Sequence, residues 1–142
     1  AALTFVANTI YNEHYETLSM KHLWVQKTNQ IEVEYHWKKA EKWNTIKVSG
    51  TNELYELKAD SEAEFITEHY WGYARIDQTK TTEYEVKHPK WKVYNVDNYQ
   101  INVDFAGIYG EEFGFLSNET PFSVMLAEGS KISVENKKRI GF

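Results

Sequence analysis

The chain has no cysteine and only two prolines among its 142 residues. Lack of cysteine excludes a disulfide framework and any thiolate-bound metal, while leaving either redox compartment open. The seven glycines are scattered, and neither Gly-x-Gly-x-x-Gly nor a Walker loop occurs, so no glycine-rich cradle for phosphate is present. A Gly-x-Ser-x-Gly elbow is missing too, which removes the commonest serine-nucleophile arrangement. The five histidines, at 14, 22, 36, 69 and 88, show neither His-x-His nor His-x-x-x-His spacing, and no metal or other cofactor is expected. Basic stripes are absent from a chain of net charge -5, which argues against a nucleic-acid partner. Lys38-Lys39 with Lys42, and Lys137-Lys138-Arg139, each lie close to acidic residues and read as solvated edges. No apolar run is long enough to cross a bilayer and no signal segment opens the chain, so a soluble, cytoplasmic protein without a membrane partner is expected.

Aromatic side chains make up 15% of the residues, enough to build a core in a chain of this size, and one domain over residues 1–142 is expected. Leu3, Val6, Ala7, Ile10 and Tyr11 fall at helical spacing. From Thr17 to about Glu53 the apolar period becomes two, with turns at Thr28-Asn29 and near Ala40-Glu41. That pattern predicts a three-stranded antiparallel meander. In its middle strand Ile31, Val33, Tyr35 and Trp37 face one way and Glu32, Glu34, His36 and Lys38 the other. The second set is either a wet face or, if the sheet closes, the polar lining of a cavity.

Ser61-Glu62-Ala63-Glu64 carries a capping box that starts a second helix, with Phe65, Ile66, His69, Tyr70 and Tyr73 on one face and its end near Gly72. Strands follow at Thr82 to His88, Trp91 to Val96 and Tyr99 to Val103, with Pro89 interrupting the ladder because it has no N–H. Asp104 caps a single helical turn ending near Gly110. A last hairpin pairs Phe122 to Leu126 with Ile132 to Val134. The order predicts an α+β fold: a predominantly antiparallel curved sheet, or partial β-barrel, with two main helices.

Two clusters place ionisable groups among rings: Thr67-Glu68-His69-Tyr70-Trp71 and His88-Pro89-Lys90-Trp91. Glu68 lies three residues from both Phe65 and Trp71, where neighbouring rings would exclude water and make it a candidate acid or base. It could equally pin its helix to a strand, and His69 could simply pack. By alternation His88 shares a face with Tyr84 and Val86, and Pro89 fixes the chain beside it, so its imidazole would be presented next to Trp91. Its ring N–H could instead tie down the turn. Candidate ligand-binding residues are therefore Glu68, His69, Tyr70, Tyr84, His88 and Trp91, with Glu68 and His88 as catalytic candidates.

Phe65-Ile66-Thr67-Glu68-His69-Tyr70-Trp71-Gly72-Tyr73, followed by Glu85-Val86-Lys87-His88-Pro89-Lys90-Trp91, resembles the signature of the YqjF-like bacterial family, domain of unknown function 2071. Leu3 to Asn8 with Tyr11 and Tyr15, and Pro121 to Val124 leading into Ala127-Glu128-Gly129, are similar to flanking parts of that family. The resemblance implies a fold related to acetoacetate decarboxylase, with curved sheets around an internal pocket, and implies no activity. Many members have Glu-Arg-Tyr where this chain has Glu68-His69-Tyr70. No counterpart of the family's N-terminal region precedes Leu3 and the chain starts at Ala1-Ala2, so the expectation is the C-terminal portion of a longer family domain. Decarboxylases of the related fold use a Schiff-base lysine. Here Lys38 and Lys39 diverge by alternation and lack the glycine and proline context of that pair, so they read as snorkelling strand-end lysines.

Three functions follow from these residues. The first is a small-molecule binding domain with an aromatic-lined pocket for a carbonyl or carboxylate ligand. The second adds proton transfer by Glu68 or His88, with Tyr70 orienting. The third is an interaction domain, such as a homo-oligomer, anchored by exposed tyrosines and tryptophans.

Overall fold

A computed structural model describes residues 8–9, 15–135 and 138–141. The first predicted helix lies outside these residues except for Asn8 and Thr9, which are helical. In chain order the elements are β1 (Ser19–Gln26), β2 (Ile31–Lys39), β3 (Lys42–Tyr55), α1 (Glu62–Thr67), β4 (Trp71–Arg75) and β5 (Lys80–Lys87). Then come β6 (Val93–Asn102), α2 (Phe105–Tyr109), a 3-10 helix (Glu111–Asn118), β7 (Leu126–Ala127), β8 (Ser133–Val134) and β9 (Lys138–Gly141). Every strand pairing is antiparallel and the fold is α+β. The chain gathers into two compact units. Residues 18–56 and 92–128 form the meander unit, and residues 1–17, 57–91 and 129–142 form a unit built around β5.

The meander unit holds an open sheet in the order β1-β2-β3-β6-β7. The barrel considered from the sequence is therefore not closed among the described residues, because β1 and β7 remain separate edges. Both predicted turns are present. Ala40 and Glu41 form the β2–β3 loop with φ of 46° and 64°, the positive values that a tight two-residue hairpin requires at both positions. Glycine or asparagine normally supplies them, so this turn carries left-handed strain.

On one face of the sheet Ile31, Val33, Tyr35 and Trp37 alternate as predicted, but burial runs out along the strand. Ile31 is 0% and Val33 2% exposed, whereas Tyr35 is 44% exposed. The buried apolar cluster lies at the end where Tyr94 of β6 and Leu126 of β7 pack on Ile31 and Val33, and Val103 is buried apart from it, just past β6. Each fully buried aliphatic side chain there contributes about 1.5–3 kcal/mol.

The two strands expected at Trp91–Val96 and Tyr99–Val103 are one continuous β6, paired with β3 along most of its length. The register shifts near Gly50, where an added Cβ would overlap the backbone carbonyl of Asn95 and approach Val96 Cα to 3.1 Å. Glycine at this bulge is what lets the two backbones close. Beyond β6, Asp104 caps α2 through Oδ1, which accepts from Gly107 N at 3.0 Å, and Gly110 ends it at φ 117°. The predicted single turn stands, and the 3-10 helix that follows was not foreseen.

The expected final hairpin does not form. Leu126–Ala127 pairs with β6, and Ser133–Val134 pairs with β5. In the β5 unit, β5 is the hub, flanked by β4 on one side and by β8 and β9 on the other. Among the described residues, none of the fully buried apolar side chains belongs to this unit; its one buried residue is Thr82.

Two substitutions test this account. Gly50→Ala should destabilise the protein by about 1–3 kcal/mol through overpacking, read as a lower denaturant midpoint. Ala40→Asn, which tolerates a positive φ, should stabilise the protein by up to about 1 kcal/mol, read as a higher midpoint.

Candidate functional site

The capping box is realised at Ser61, whose Oγ accepts from Glu64 N at 3.1 Å. The Glu64 carboxylate reaches one residue further back than the usual reciprocal bond, accepting from Asp60 N at 2.8 Å. The helix it starts is shorter than the spacing predicts: α1 stops at Thr67, and Glu68 is its C-cap. Residues 71–75 form a strand instead, so His69, Tyr70 and Tyr73 are not on a helical face. The physical reason lies in the run Tyr70-Trp71-Gly72-Tyr73, which reads at period two as well as at 3.6. Pairing with β5 rewards the strand reading of these β-favouring rings. Gly72 marks no helix end; it leaves room for the ring of Tyr84, which lies against it across the ladder.

This local change brings four of the six candidates together. Glu68 accepts a very short hydrogen bond from the Tyr70 hydroxyl. Tyr70 packs on His88 with ring centroids 4.8 Å apart, and His88 stacks on Trp91 at 3.9 Å and 16°. Trp91 Nε1 donates to Ser130 Oγ at 2.9 Å, which anchors the far end of the array. His88 Nδ1 lies 2.9 Å from the carbonyl oxygen of Pro89, an acceptor only, so Nδ1 carries the proton and Nε2 is the acceptor of the neutral ring. The imidazole therefore ties down its turn and spaces Tyr70 from Trp91 at once.

The other two candidates are placed differently. His69 is exposed, with Nδ1 3.3 Å from Phe65 O and its ring edge-on to Phe65 at 5.3 Å, so it closes one of the last carbonyls of α1. Tyr84 covers Gly72 and lines a separate small depression with Glu83, Glu85 and Lys87.

Beside Glu68 and Tyr70 runs an open groove of about 680 Å³, lined also by Asp60, Glu64, Phe65, His69, Trp71 and Lys90. Lys90 and Glu64 went unrecognised as site residues, although each stands inside a motif singled out above. Their pairing, Nζ to Oε1 at 2.9 Å, joins residues too far apart in sequence for spacing to reveal. The Lys90 hydrogen bond, followed by the Asp60 N–H, holds the Glu64 carboxyl below the usual range. Glu64 in turn raises Lys90, with smaller contributions from Glu68 and Tyr70. The hydrogen bond to Glu68, with burial second, pushes the Tyr70 phenol above the usual tyrosine range.

The charged face of β2 is partly covered and internally paired. Glu34 accepts from His36 Nε2 at 2.9 Å and from Lys47 at 3.0 Å, with His36 Nδ1 3.0 Å from Thr45 Oγ1. Lys47 and then His36 hold Glu34 low. Lys38 is tied to Glu41 at 2.6 Å. No group of three His, Asp or Glu side chains among the described residues is arranged to hold a metal ion, and no helix among them is long and apolar enough to cross a membrane.

An open antiparallel meander and a β5-centred unit carrying a ring-lined acidic groove define an α+β protein with a candidate ligand site. The chain belongs to the DUF2071 family, described as an uncharacterized conserved protein, whose model matches residues 1–131 and so spans both ring clusters. No curated protein and no solved structure matches it.

The Glu68–Tyr70 bond sets a pH dependence. Because the folded phenol titrates higher than the unfolded one, its stabilisation is complete below the unfolded tyrosine value and declines as pH rises through the folded value. In alkaline titration followed by phenolate absorbance, Tyr70→Phe should remove a late-ionising component, and Glu68→Gln should return that component towards ordinary tyrosine.

Proposed function

We propose that this chain is a small-molecule binding protein of acetoacetate-decarboxylase-like ancestry whose ligand occupies the groove at Glu68, Tyr70 and Lys90. The observation that carries this reading is the continuous array Glu68–Tyr70–His88–Trp91. Glu68 and Tyr70 line the groove, whereas His88 and Trp91 stand outside its lining and back the Tyr70 ring; a wall held in this way is preorganised, so little ordering accompanies ligand entry. Lys90 keeps donors beyond the one given to Glu64, and the second oxygen of Glu68 can accept from a ligand hydroxyl or N–H.

Charge narrows the ligand. Asp60, Glu64 and Glu68 face one ammonium, which disfavours a carboxylate and favours a partly apolar carbonyl compound. The raised Lys90 pKa keeps its nitrogen an ammonium rather than a free amine, which supports binding over Schiff-base chemistry. The Glu68–Tyr70 pair favours a second reading, proton transfer at the carbon next to the bound carbonyl, with Glu68 as base and Tyr70 as orienting donor.

A panel of small ketones, keto acids and amides tests the proposal by thermal shift. At least one neutral carbonyl compound should raise the melting midpoint, and Lys90→Ala should weaken it about tenfold or more, as expected for losing a charged hydrogen bond. Glu68→Gln should leave the fold intact and abolish any turnover. Flat midpoints across the panel, or a shift unaltered by Lys90→Ala, would refute ligand binding at this groove.

A further inference from the structure

The meander unit has its own groove, of about 940 Å³, where the start of β3 and the end of β6 meet the segment that follows the 3-10 helix. Asn44 lies in its lining and is 1% exposed. Its Oδ1 accepts from Asp104 N at 2.8 Å, which fixes the orientation of the amide and assigns the remaining position to Nδ2. Among the described residues, the one hydrogen bond of the Asn44 side chain ends at that oxygen, and none leaves its NH₂ group. A buried donor of this kind is unfavourable unless something accepts from it.

The surroundings describe what would supply the acceptor. Trp43, Tyr99, Ile101 and Phe105 line the groove, and Phe122, 92% exposed, stands at it with its ring in solvent. Charge at the groove is largely cancelled internally, since Lys42 Nζ and Asp104 Oδ2 are paired at 2.7 Å, leaving Glu119 as the remaining charged residue. An anion is disfavoured there, and no free cation is offered to attract one.

We propose that this groove is a second ligand site, distinct from the groove at Glu68, which takes a neutral molecule with a ring or alkyl body and a carbonyl oxygen that accepts from Asn44 Nδ2. The body lies among Trp43, Ile101, Phe105 and Phe122, while the oxygen enters deepest. Recognition is then by one neutral donor and apolar surface, unlike the ammonium and carboxylates of the other groove.

Titrating the full ¹⁵N-labelled chain with acetanilide, and separately with N-ethylaniline, which keeps the skeleton but lacks the carbonyl oxygen, tests the proposal. Acetanilide should shift the Asn44 side-chain NH₂ and Trp43 indole resonances saturably and bind about tenfold more tightly than N-ethylaniline. Asn44→Asp, read at a pH where the introduced carboxyl is ionised, retains an oxygen for Asp104 N and loses the donor; it should bring the two affinities together. Phe122→Ala should weaken both probes without lowering the melting midpoint, because that ring is exposed, and this arm remains decisive if Asn44→Asp fails to fold. The Asn44 response should persist in Lys90→Ala, which separates this site from the other groove. Unmoved Asn44 resonances at the solubility limit of acetanilide, or equal affinity of both probes for the unaltered chain, would overturn the proposal.

Discussion

The pairing of β3 with β6 is the constraint on which the meander unit depends. At one end it brings Tyr55 opposite Val93 and Leu54 opposite Tyr94, which sets the buried part of β6 against Ile31 and Val33. At the other end it places Asn102 opposite Thr45, so that the chain leaving β6 passes Asn44 and delivers Asp104 N to its amide oxygen. The bulge at Gly50 reconciles these two registers. Core, groove and the cap of α2 are thus consequences of one ladder and one residue without a side chain.

The β5 unit is held by different means. With no fully buried apolar side chain among its described residues, it relies on strand ladders, the Lys90–Glu64 pair and the chain of rings from Tyr70 to Ser130. Surface ion pairs contribute little individually, so the ladders on β5 and the packed rings hold it. The residues proposed to meet a ligand are therefore also those that keep the unit together. Units of low intrinsic stability are where ligand-responsive motion is commonly found.

Local signals in the sequence were read well where only one period was present. The meander followed from alternation in Ile31 to Trp37 and from the positions of two turns, and the caps at Ser61 and Asp104 followed from side-chain chemistry that acts over three residues. Reading failed where two periods coexist, as at Tyr70 to Tyr73, because cross-strand pairing decides between them. It failed as well at residues 126–134, where two short strands find partners far away in sequence rather than each other. The gathering of Glu68, Tyr70, His88 and Trp91 was legible because Pro89 fixes the second cluster and rings bring the first to it. Lys90, Glu64 and Asn44 were missed because their significance comes from partners twenty-six or sixty residues distant.

The two units are interlaced along the chain, which passes between them after Thr17, Glu56, Trp91 and Glu128. Neither can be excised as a contiguous fragment; a nick after Thr17 or Glu128 divides the β5 unit between two fragments, and one after Glu56 or Trp91 divides both units. β1, β2 and β3 pair with neighbours in sequence, as do β4 and β5, but β3 must wait for β6 and β5 for β8 and β9, so these strands each keep an unpaired edge while the later ones are made. During that interval the unpaired strands are candidates for capture by chaperones or by each other, a hazard set by connectivity rather than by composition.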